Sequence, residues 1–305
     1  MAGTPAIRVA EEEYGQYLND LFWRAFEKSP FDVLCTVLRV GGLQDADWDP
    51  FEEVKGAFAD FNWYLNAKDE KLSAKASWRI GLLMYCQAIE MTAPHEVLAN
   101  LLRCLKGQLY HVKPFGHLGR KNKKDPFSWV PPSAKTKFRV LGEWANEAGE
   151  GKLTEFIKTF FRDDIRNAFS HSDYIITPER FRWTEGGFAN QIPLKDVETY
   201  ALNAFAFYGA FFSLHSHWRK ELAKAPKYHK WPNYEVLEIL SDSEHGAYGF
   251  SVHFSNGNKA TYSRTDKGTD ATNIQLERDG TINFFVGSLD ALTKQWLVDG
   301  QPYQG

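Results

Sequence analysis

Hydrophobic residues recur at helical spacing over most of the first 222 positions of the chain. The clearest window is 73–92, where Ile80, Leu83, Met84 and Met91 fall on one stripe. Such a stripe is typical of an amphipathic helix that buries one face in a core. Similar stripes predict further helices at 50–65, 94–107, 137–148, 153–170 and 197–222.

The hydrophobic period changes to two residues beyond position 232, which indicates strands. Alternation of this kind covers the windows 234–240, 247–254, 259–263, 274–278 and 281–286. Asn256-Gly257 and Asp279-Gly280 lie between strands and favour the tight turns of β-hairpins. A short terminal helix is predicted at 289–298.

A smaller group of strand patterns interrupts the helical part at 174–192 and predicts a β-hairpin or meander. We therefore predict a mainly α protein: a helical bundle with an inserted β-hairpin at 73–228. An acidic helical extension precedes it at 1–72, and a small antiparallel β+α domain follows at 233–305. The role of that last domain is open between specificity, oligomer contacts and partner docking.

Composition favours a soluble protein of two or more domains, since 305 residues with 43% hydrophobic and 25% charged side chains can bury a large core. No apolar run approaches the ~20 residues that span a bilayer. The acidic stretch 11–13 follows a short neutral lead that lacks the features of a secretory signal. We expect a cytoplasmic location without membrane association. The three cysteines are widely spaced, which predicts buried thiols rather than a disulfide framework or a zinc site.

Basic residues concentrate in the segment 101–140, although the formal net charge of the chain is -3. This segment holds ten lysines and arginines against the single acid Asp125. Such a run is either a solvated surface or a binding face for a polyanion. Nearby aromatic residues, among them Phe138, favour the second interpretation because aromatic rings stack on unpaired bases. The predicted RNA-binding residues are Arg120, Lys121, Lys123, Lys124 and Ser170.

The most informative motif is Arg166-Asn167-Ala168-Phe169-Ser170-His171, which comes directly after the apolar run 153–165 of a helical window. Arginine holds phosphate through a planar fork of donors, and histidine gives or takes a proton near neutral pH. The candidate catalytic residues are therefore Arg166, Asn167 and His171.

The spacing of the motif raises a geometric difficulty, because five helical residues leave Arg166 and His171 about 140° apart. Either the helix ends near His171 or a second molecule contributes. The alternative is a structural cluster that satisfies the backbone at a helix end. Asp163 and Asp164 are interpreted as salt-bridge partners of Arg162 or Arg166, or as carboxylates that raise the pKa of His171.

The motif, followed by Asp173-Tyr174 and lying between an amphipathic helix and a hairpin, resembles the signature of the HEPN superfamily over about half of the chain, residues 74–222. The resemblance implies a HEPN-like helical bundle and a metal-independent ribonuclease without cofactors. In it, Arg166 binds phosphate, Asn167 is the polar residue beside it, and His171 is the catalytic histidine.

From the motif, the basic segment and this resemblance we predict an endoribonuclease that cleaves RNA by attack of the 2′-hydroxyl, as a toxin or defence effector. The expected partners are RNA, a second copy of the chain in a homodimer, and an antitoxin or a defence-complex subunit. The alternative is a non-catalytic module that binds RNA or protein or drives dimerisation.

Overall fold

The helices and strands are defined by a computed structural model. It describes residues 5–40, 50–66, 72–121, 123–124, 129–224, 228–230, 236–253, 259–265, 268–276, 282–284, 297–298 and 301–302. The helices are α1 Pro5–Lys28, α2 Pro30–Leu38, α3 Pro50–Asn66, α4 Ala74–Glu90, α5 Thr92–Leu105, α6 Ala134–Glu147, α7 Gly151–Phe160, α8 Asp163–Ser170 and α9 Leu194–Ala223. The strands are β1 Arg120–Lys121, β2 Trp129–Val130, β3 Tyr174–Ile176, β4 Arg180–Glu185, β5 Phe188–Pro193, β6 Tyr228–Lys230, β7 Val236–Asp242, β8 Gly246–His253, β9 Lys259–Thr265, β10 Gly268–Thr272, β11 Ile274–Leu276, β12 Ile282–Phe284, β13 Leu297–Val298 and β14 Gln301–Pro302.

The prediction of a mainly α, HEPN-like helical bundle is wrong, because the fold is mixed α+β. An antiparallel sheet has the strand order β10-β9-β8-β7-β6, and a second antiparallel sheet has the order β3-β4-β5. The larger sheet is part of a core: β8 is buried along most of its length, and the Phe250 ring lies 5.5 Å from the ring of Phe31 on α2. The hydrophobic pattern located the strands but did not show that they share a core with helical residues distant in sequence.

The chain divides into two compact units, each assembled from separate segments. Unit 1 comprises residues 1–20, 52–95 and 118–212, and unit 2 comprises residues 21–51, 96–117 and 213–305. The contiguous domains 1–72, 73–228 and 233–305 stay a prediction about which fragments fold independently.

Unit 1 has a core rich in aromatic side chains. The Phe160 and Phe207 ring centroids are 4.8 Å apart, and His95 Nε2 lies 3.0 Å from the Tyr208 hydroxyl. Burial, together with the positive charge of Lys137, lowers the pKa of His95 to about 3, so this imidazole is neutral. It is a core residue that contacts no solvent.

Unit 2 contains the five-stranded sheet and helical residues from the segments 21–51, 96–117 and 213–305. Arg219 Nε donates to the Ala247 carbonyl at 2.9 Å, and the Tyr262 ring stacks 5.9 Å from that of Phe250. Gly246 has a φ of +76°, and a Cβ there would lie 2.6 Å from backbone atoms of Arg219. Only glycine fits this close approach.

Local sequence features account for several boundaries. Ser73 and Ser133 accept hydrogen bonds from the N–H groups of Ala76 and Thr136 and so cap α4 and α6. At the C-terminus, β13 occupies two positions of the predicted helix 289–298, and the rest of that window lies outside the described residues. Both predicted turn dipeptides, at 256–257 and 279–280, also lie outside them.

Candidate active site

Helix α8 carries the motif and begins after a break that the sequence pattern did not reveal. The window 153–170, predicted as continuously helical, is divided into α7 and α8 by extended backbone at Phe161 and Arg162. The Tyr85 hydroxyl accepts from the Arg162 N–H at 3.0 Å and donates to the Phe160 carbonyl at 2.8 Å. A buried tyrosine from α4 thus satisfies both backbone groups at the break.

The end of α8 is fixed by a Schellman motif. The Ser172 N–H donates to the Phe169 carbonyl at 3.1 Å, and the Asp173 N–H donates to the Ala168 carbonyl at 2.9 Å. Ser172 has a φ of +58°, in the left-handed region that few non-glycine residues adopt. His171 is the C-cap residue, so the helix ends near His171, which is one of the two possibilities that the motif spacing left open, and His171 is exposed there.

A cleft of about 270 Å³ opens beside His171. Its described lining residues are Asp164, Asn167, Ala168, His171, Asp173, Trp183, Thr184 and Glu185. Asn167 and His171, four residues apart, therefore share one face of α8. The described residues provide no hydrogen-bond or ion-pair partner for the His171 imidazole, which leaves both ring nitrogens accessible to a bound molecule.

Arg166 lies on a different face of α8 and is not among the described residues that line the cleft. Its Nε is 3.0 Å from Glu90 Oε1 on α4, and its Nη2 is 3.5 Å from Asp163 Oδ1. The Nε contact is an ion pair without hydrogen-bond geometry. With only 16% of its side chain exposed, Arg166 is held by two carboxylates rather than presented to solvent.

Asp163 connects the two faces of the helix. Besides Arg166, its carboxylate accepts from Asn167 Nδ2 at 3.1 Å and lies 3.1 Å from Lys135 Nζ. One N–H of the Asn167 amide donates to Asp163, and its second N–H and its carbonyl oxygen have no partner among the described residues. Contacts through Asp163 therefore link Arg166 to Asn167, which lines the cleft.

Arg162 and Asp164 form a second ion pair. Arg162 Nε and Nη2 donate to Asp164 Oδ1 and Oδ2 at 2.9 and 2.5 Å, a bidentate geometry. Burial acts to raise the pKa of Asp164, but the hydrogen bonds and charge of Arg162 outweigh it, so this pKa lies below its ordinary value. The interpretation of Asp163 and Asp164 as salt-bridge partners of Arg166 and Arg162 is confirmed.

Stacked aromatic rings join α8 to the three-stranded sheet. Phe169, two residues before His171, stacks on Tyr174 at 5.3 Å, and Tyr174 stacks on Phe181 at 5.4 Å. On the cleft side, the Thr184 hydroxyl donates to Asp173 Oδ2 at 2.5 Å. The sheet and the helix end therefore form one packed structure around the cleft.

The cations of the basic segment differ in their exposure and in their contacts. Arg120, Lys121, Lys123 and Lys124 are exposed, as the prediction of an RNA-binding role requires, and Ser170 is exposed at the end of α8. Lys135 pairs with Asp163, Lys137 donates to Thr92 Oγ1, and Arg139 pairs with Glu143.

Phe138 does not serve as a stacking surface for bases. It is 4% exposed, and its ring lies 4.5 Å from those of both His95 and Phe161. The aromatic argument for the basic segment therefore fails at this position. The prediction also rested on Phe127, Trp129 and His117. The side chains of Phe127 and Trp129 lie outside the described part of the chain, and His117 is exposed.

Five residues with contacts at the site were missed by the sequence analysis: Glu90, Lys135, Trp183, Thr184 and Glu185. They belong to α4, α6 and β4, and no local motif marks them. Only the packing of these elements around α8 identifies them.

No protein-family model, curated protein or solved structure gives a significant match to this chain. In the part of the chain that is described, no helix is both long and apolar enough to cross a bilayer. Among the same residues, no group of three or more His, Cys, Asp or Glu side chains is arranged to hold a metal ion.

Proposed function

We propose that this chain is a metal-independent endoribonuclease in which His171 transfers protons during cleavage of RNA. One observation carries the proposal: His171 is exposed at the end of α8, lines a cleft of about 270 Å³, and has no side-chain partner among the described residues. An imidazole exposed at a cleft can accept or donate a proton to a bound molecule and is suited to general acid–base catalysis.

The reaction is an intramolecular transesterification. A base removes the proton of the ribose 2′-hydroxyl, the 2′-oxygen forms a bond to phosphorus, and the bond from phosphorus to the 5′-oxygen breaks. An acid protonates the leaving 5′-oxygen. The products carry a 2′,3′-cyclic phosphate and a 5′-hydroxyl, and no oxidant or further reactant is needed.

A homodimer would supply the second proton-transfer group. One motif provides one imidazole, whereas the reaction benefits from a base and an acid on opposite sides of phosphorus. A two-fold axis beside the cleft would place a second His171 there. The resemblance to the HEPN superfamily implies the same arrangement.

The network Arg166–Asp163–Asn167 gives the first two motif residues a positioning role in this proposal. Asp163 is 3.5 Å from Arg166 Nη2 and accepts from Asn167 at 3.1 Å, so it fixes the orientation of the amide at the cleft. Direct phosphate binding by Arg166, which the resemblance implies, would require the guanidinium to leave Glu90 and Asp163.

The biological setting follows from the resemblance alone. We propose a toxin or defence effector that acts on RNA in the cytoplasm without a cofactor, with an antitoxin or a defence-complex subunit as a candidate partner.

The test is cleavage of labelled single-stranded RNA in the presence of a chelator. We expect the native protein to cleave and to leave 2′,3′-cyclic phosphate ends, and His171→Ala to be slower by about 10²–10⁴-fold. His245→Ala, which removes an exposed imidazole in unit 2, is the matched control and should cleave at the native rate. Equal cleavage by His171→Ala would contradict the proposal.

A second candidate function is a non-catalytic binding or dimerisation module. Two observations favour it: Arg166 is paired with two carboxylates, and the described cleft lining includes Asp164, Asp173 and Glu185 but no lysine or arginine. Such a lining repels phosphate unless cations come from elsewhere. Binding of RNA or of a second copy without any cleavage by the native protein would establish this candidate.

A further inference from the structure

The outer face of the three-stranded sheet carries two arginines that the sequence analysis left unassigned. Along β4, Arg180, Arg182 and Thr184 are exposed, whereas Phe181 and Trp183 are 0% and 7% exposed. This strict alternation places the two guanidinium groups on the side of the sheet that faces solvent.

Both arginines have uncharged neighbours across the sheet. Arg182 is opposite Ile175 on β3 and Gln191 on β5, and Arg180 is opposite Pro193. No ion pair of either guanidinium exists among the described residues, in contrast to Arg162 and Arg166, each of which is held by a carboxylate. Their charge is therefore available to a bound anion.

The row of exposed residues on β4 leads directly to the cleft. Alternate residues of a strand are about 6.6 Å apart, so Arg180, Arg182 and Thr184 span about 13 Å along one line. Thr184 lines the cleft and donates to Asp173, two residues after His171. A polyanion lying on this row would therefore reach the imidazole.

We propose that the outer face of the sheet β3-β4-β5 binds the sugar–phosphate backbone of single-stranded RNA, with Arg180 and Arg182 contacting phosphates on one side of the bond presented to His171. This inference rests on the proposed function and extends it, because it supplies the cations that the cleft lining lacks. Charge complementarity favours RNA over a protein as the bound molecule. The cross-strand neighbours Ile175, Gln191 and Pro193 are uncharged, so the face is positive. The two exposed arginines lie in a row, which suits a backbone of regularly spaced phosphates.

The experiment measures binding separately from cleavage. The probe is a fluorescein-labelled RNA in which every 2′-hydroxyl is methylated, so it lacks the nucleophile and cannot be cleaved by transesterification. Anisotropy titrations at several salt concentrations compare the full-length native chain with the double variant Arg180→Ala/Arg182→Ala. We expect about tenfold weaker binding and a salt slope smaller by about 1.4, which is the loss expected for two phosphate contacts on a single strand.

Arg79→Ala is the matched control, because Arg79 is an exposed arginine that belongs to α4 and not to the sheet. It should bind like the native protein. Arg182→Glu provides a second variant: reversal of one charge should weaken binding more than Arg182→Ala, at an unchanged melting temperature.

The outcomes separate this inference from the proposed function. Native protein that binds the probe but never cleaves unmodified RNA would refute the nuclease and leave the binding face supported, provided that the double variant binds more weakly. Equal binding by the native protein and the double variant would overturn the binding face even if cleavage is observed. A native protein without affinity for the probe would overturn it as well and leave the face to a protein partner.

Discussion

The two faces of α8 differ in what surrounds their functional side chains. On one face, Arg166 lies between Glu90 and Asp163 and is 16% exposed. On the other face, His171 and Asn167 open into the cleft, and the imidazole has no described partner. A motif that is continuous in sequence is thus divided in space into a closed, ion-paired part and an open part.

This difference shows that the spacing of a motif in the sequence does not determine the geometry of the site. The spacing placed Arg166 and His171 about 140° apart on a continuous helix, and the termination of α8 at Ser170 does not bring them together. The chemistry of each residue is decided by the elements that pack beside it. For Arg166 that element is α4, and for His171 it is the sheet.

Substitutions on the closed face of α8, where Arg166 pairs with Glu90 and Asp163, should have the largest effect on the stability of the protein. Arg166→Ala leaves Glu90 without its cation and Asp163 with Lys135 alone, and we expect the free energy of unfolding to fall by about 2–3 kcal/mol, less than for a fully buried pair because Glu90 is 47% exposed. Denaturant titration measures this change. Glu90→Gln, which keeps the shape of the side chain, should cost less, and an unchanged midpoint for Arg166→Ala would show that the closed face is not structural.

The Arg162–Asp164 pair should give a pH-dependent effect of about 1.5–2 kcal/mol. Because the folded-state pKa of Asp164 is lowered, its stabilisation is present above the ordinary aspartate pKa of about 3.9 and disappears as pH falls through the folded-state value. Asp164→Asn should therefore be less stable than the native protein at pH 7, and the difference should shrink below about pH 4. A difference that grows on acidification would contradict the assigned ion pair.

The contact between Lys135 and Asp163 should contribute little, since the Lys135 side chain is 69% exposed. Lys135→Ala is expected to lower the free energy of unfolding by about 0.2–1 kcal/mol and to lose this effect at high salt. Thermal melts at low and high ionic strength measure it. A loss above about 2 kcal/mol would mean that Lys135 belongs to the closed network rather than to its edge.

The smallest expected effect is a gain in the free energy of unfolding. Ser172 adopts a φ of +58°, so Ser172→Gly relieves strain at the end of α8 and should stabilise the protein by a few tenths of a kcal/mol, at most about 1. Ser172→Ala, which keeps a Cβ, is the control and should not gain. Destabilisation by glycine would show that the serine hydroxyl matters more than the backbone conformation.

Much of the local structure was accessible from the sequence. The amphipathic window 73–92 corresponds to α4 at Ala74–Glu90, and the strand pattern at 174–192 corresponds to β3, β4 and β5. The hydrophobic period and the turn residues predict these elements. The break between α7 and α8 was not predictable, because it depends on Tyr85, a residue more than 70 positions away.

The sequence predicts the motif residues of the site but not the residues that surround them. Asn167 and His171 share a cleft, as their four-residue separation allows, but Glu90, Lys135 and Thr184 come from other elements through tertiary packing. The prediction that the basic segment 101–140 forms a binding face is wrong at two positions for the same reason. Lys137 and Phe138 are buried, and a local charge count cannot distinguish them from surface residues.

The most direct test of the account measures stability and cleavage on the same variants. Native protein, His171→Ala and Arg166→Ala are purified side by side, melted, and assayed on labelled RNA with a chelator at a temperature where all three are folded. The account predicts that His171→Ala keeps the native stability within about 0.5 kcal/mol and loses cleavage by 100-fold or more, whereas Arg166→Ala loses stability. Cleavage at the native rate by folded His171→Ala would contradict it.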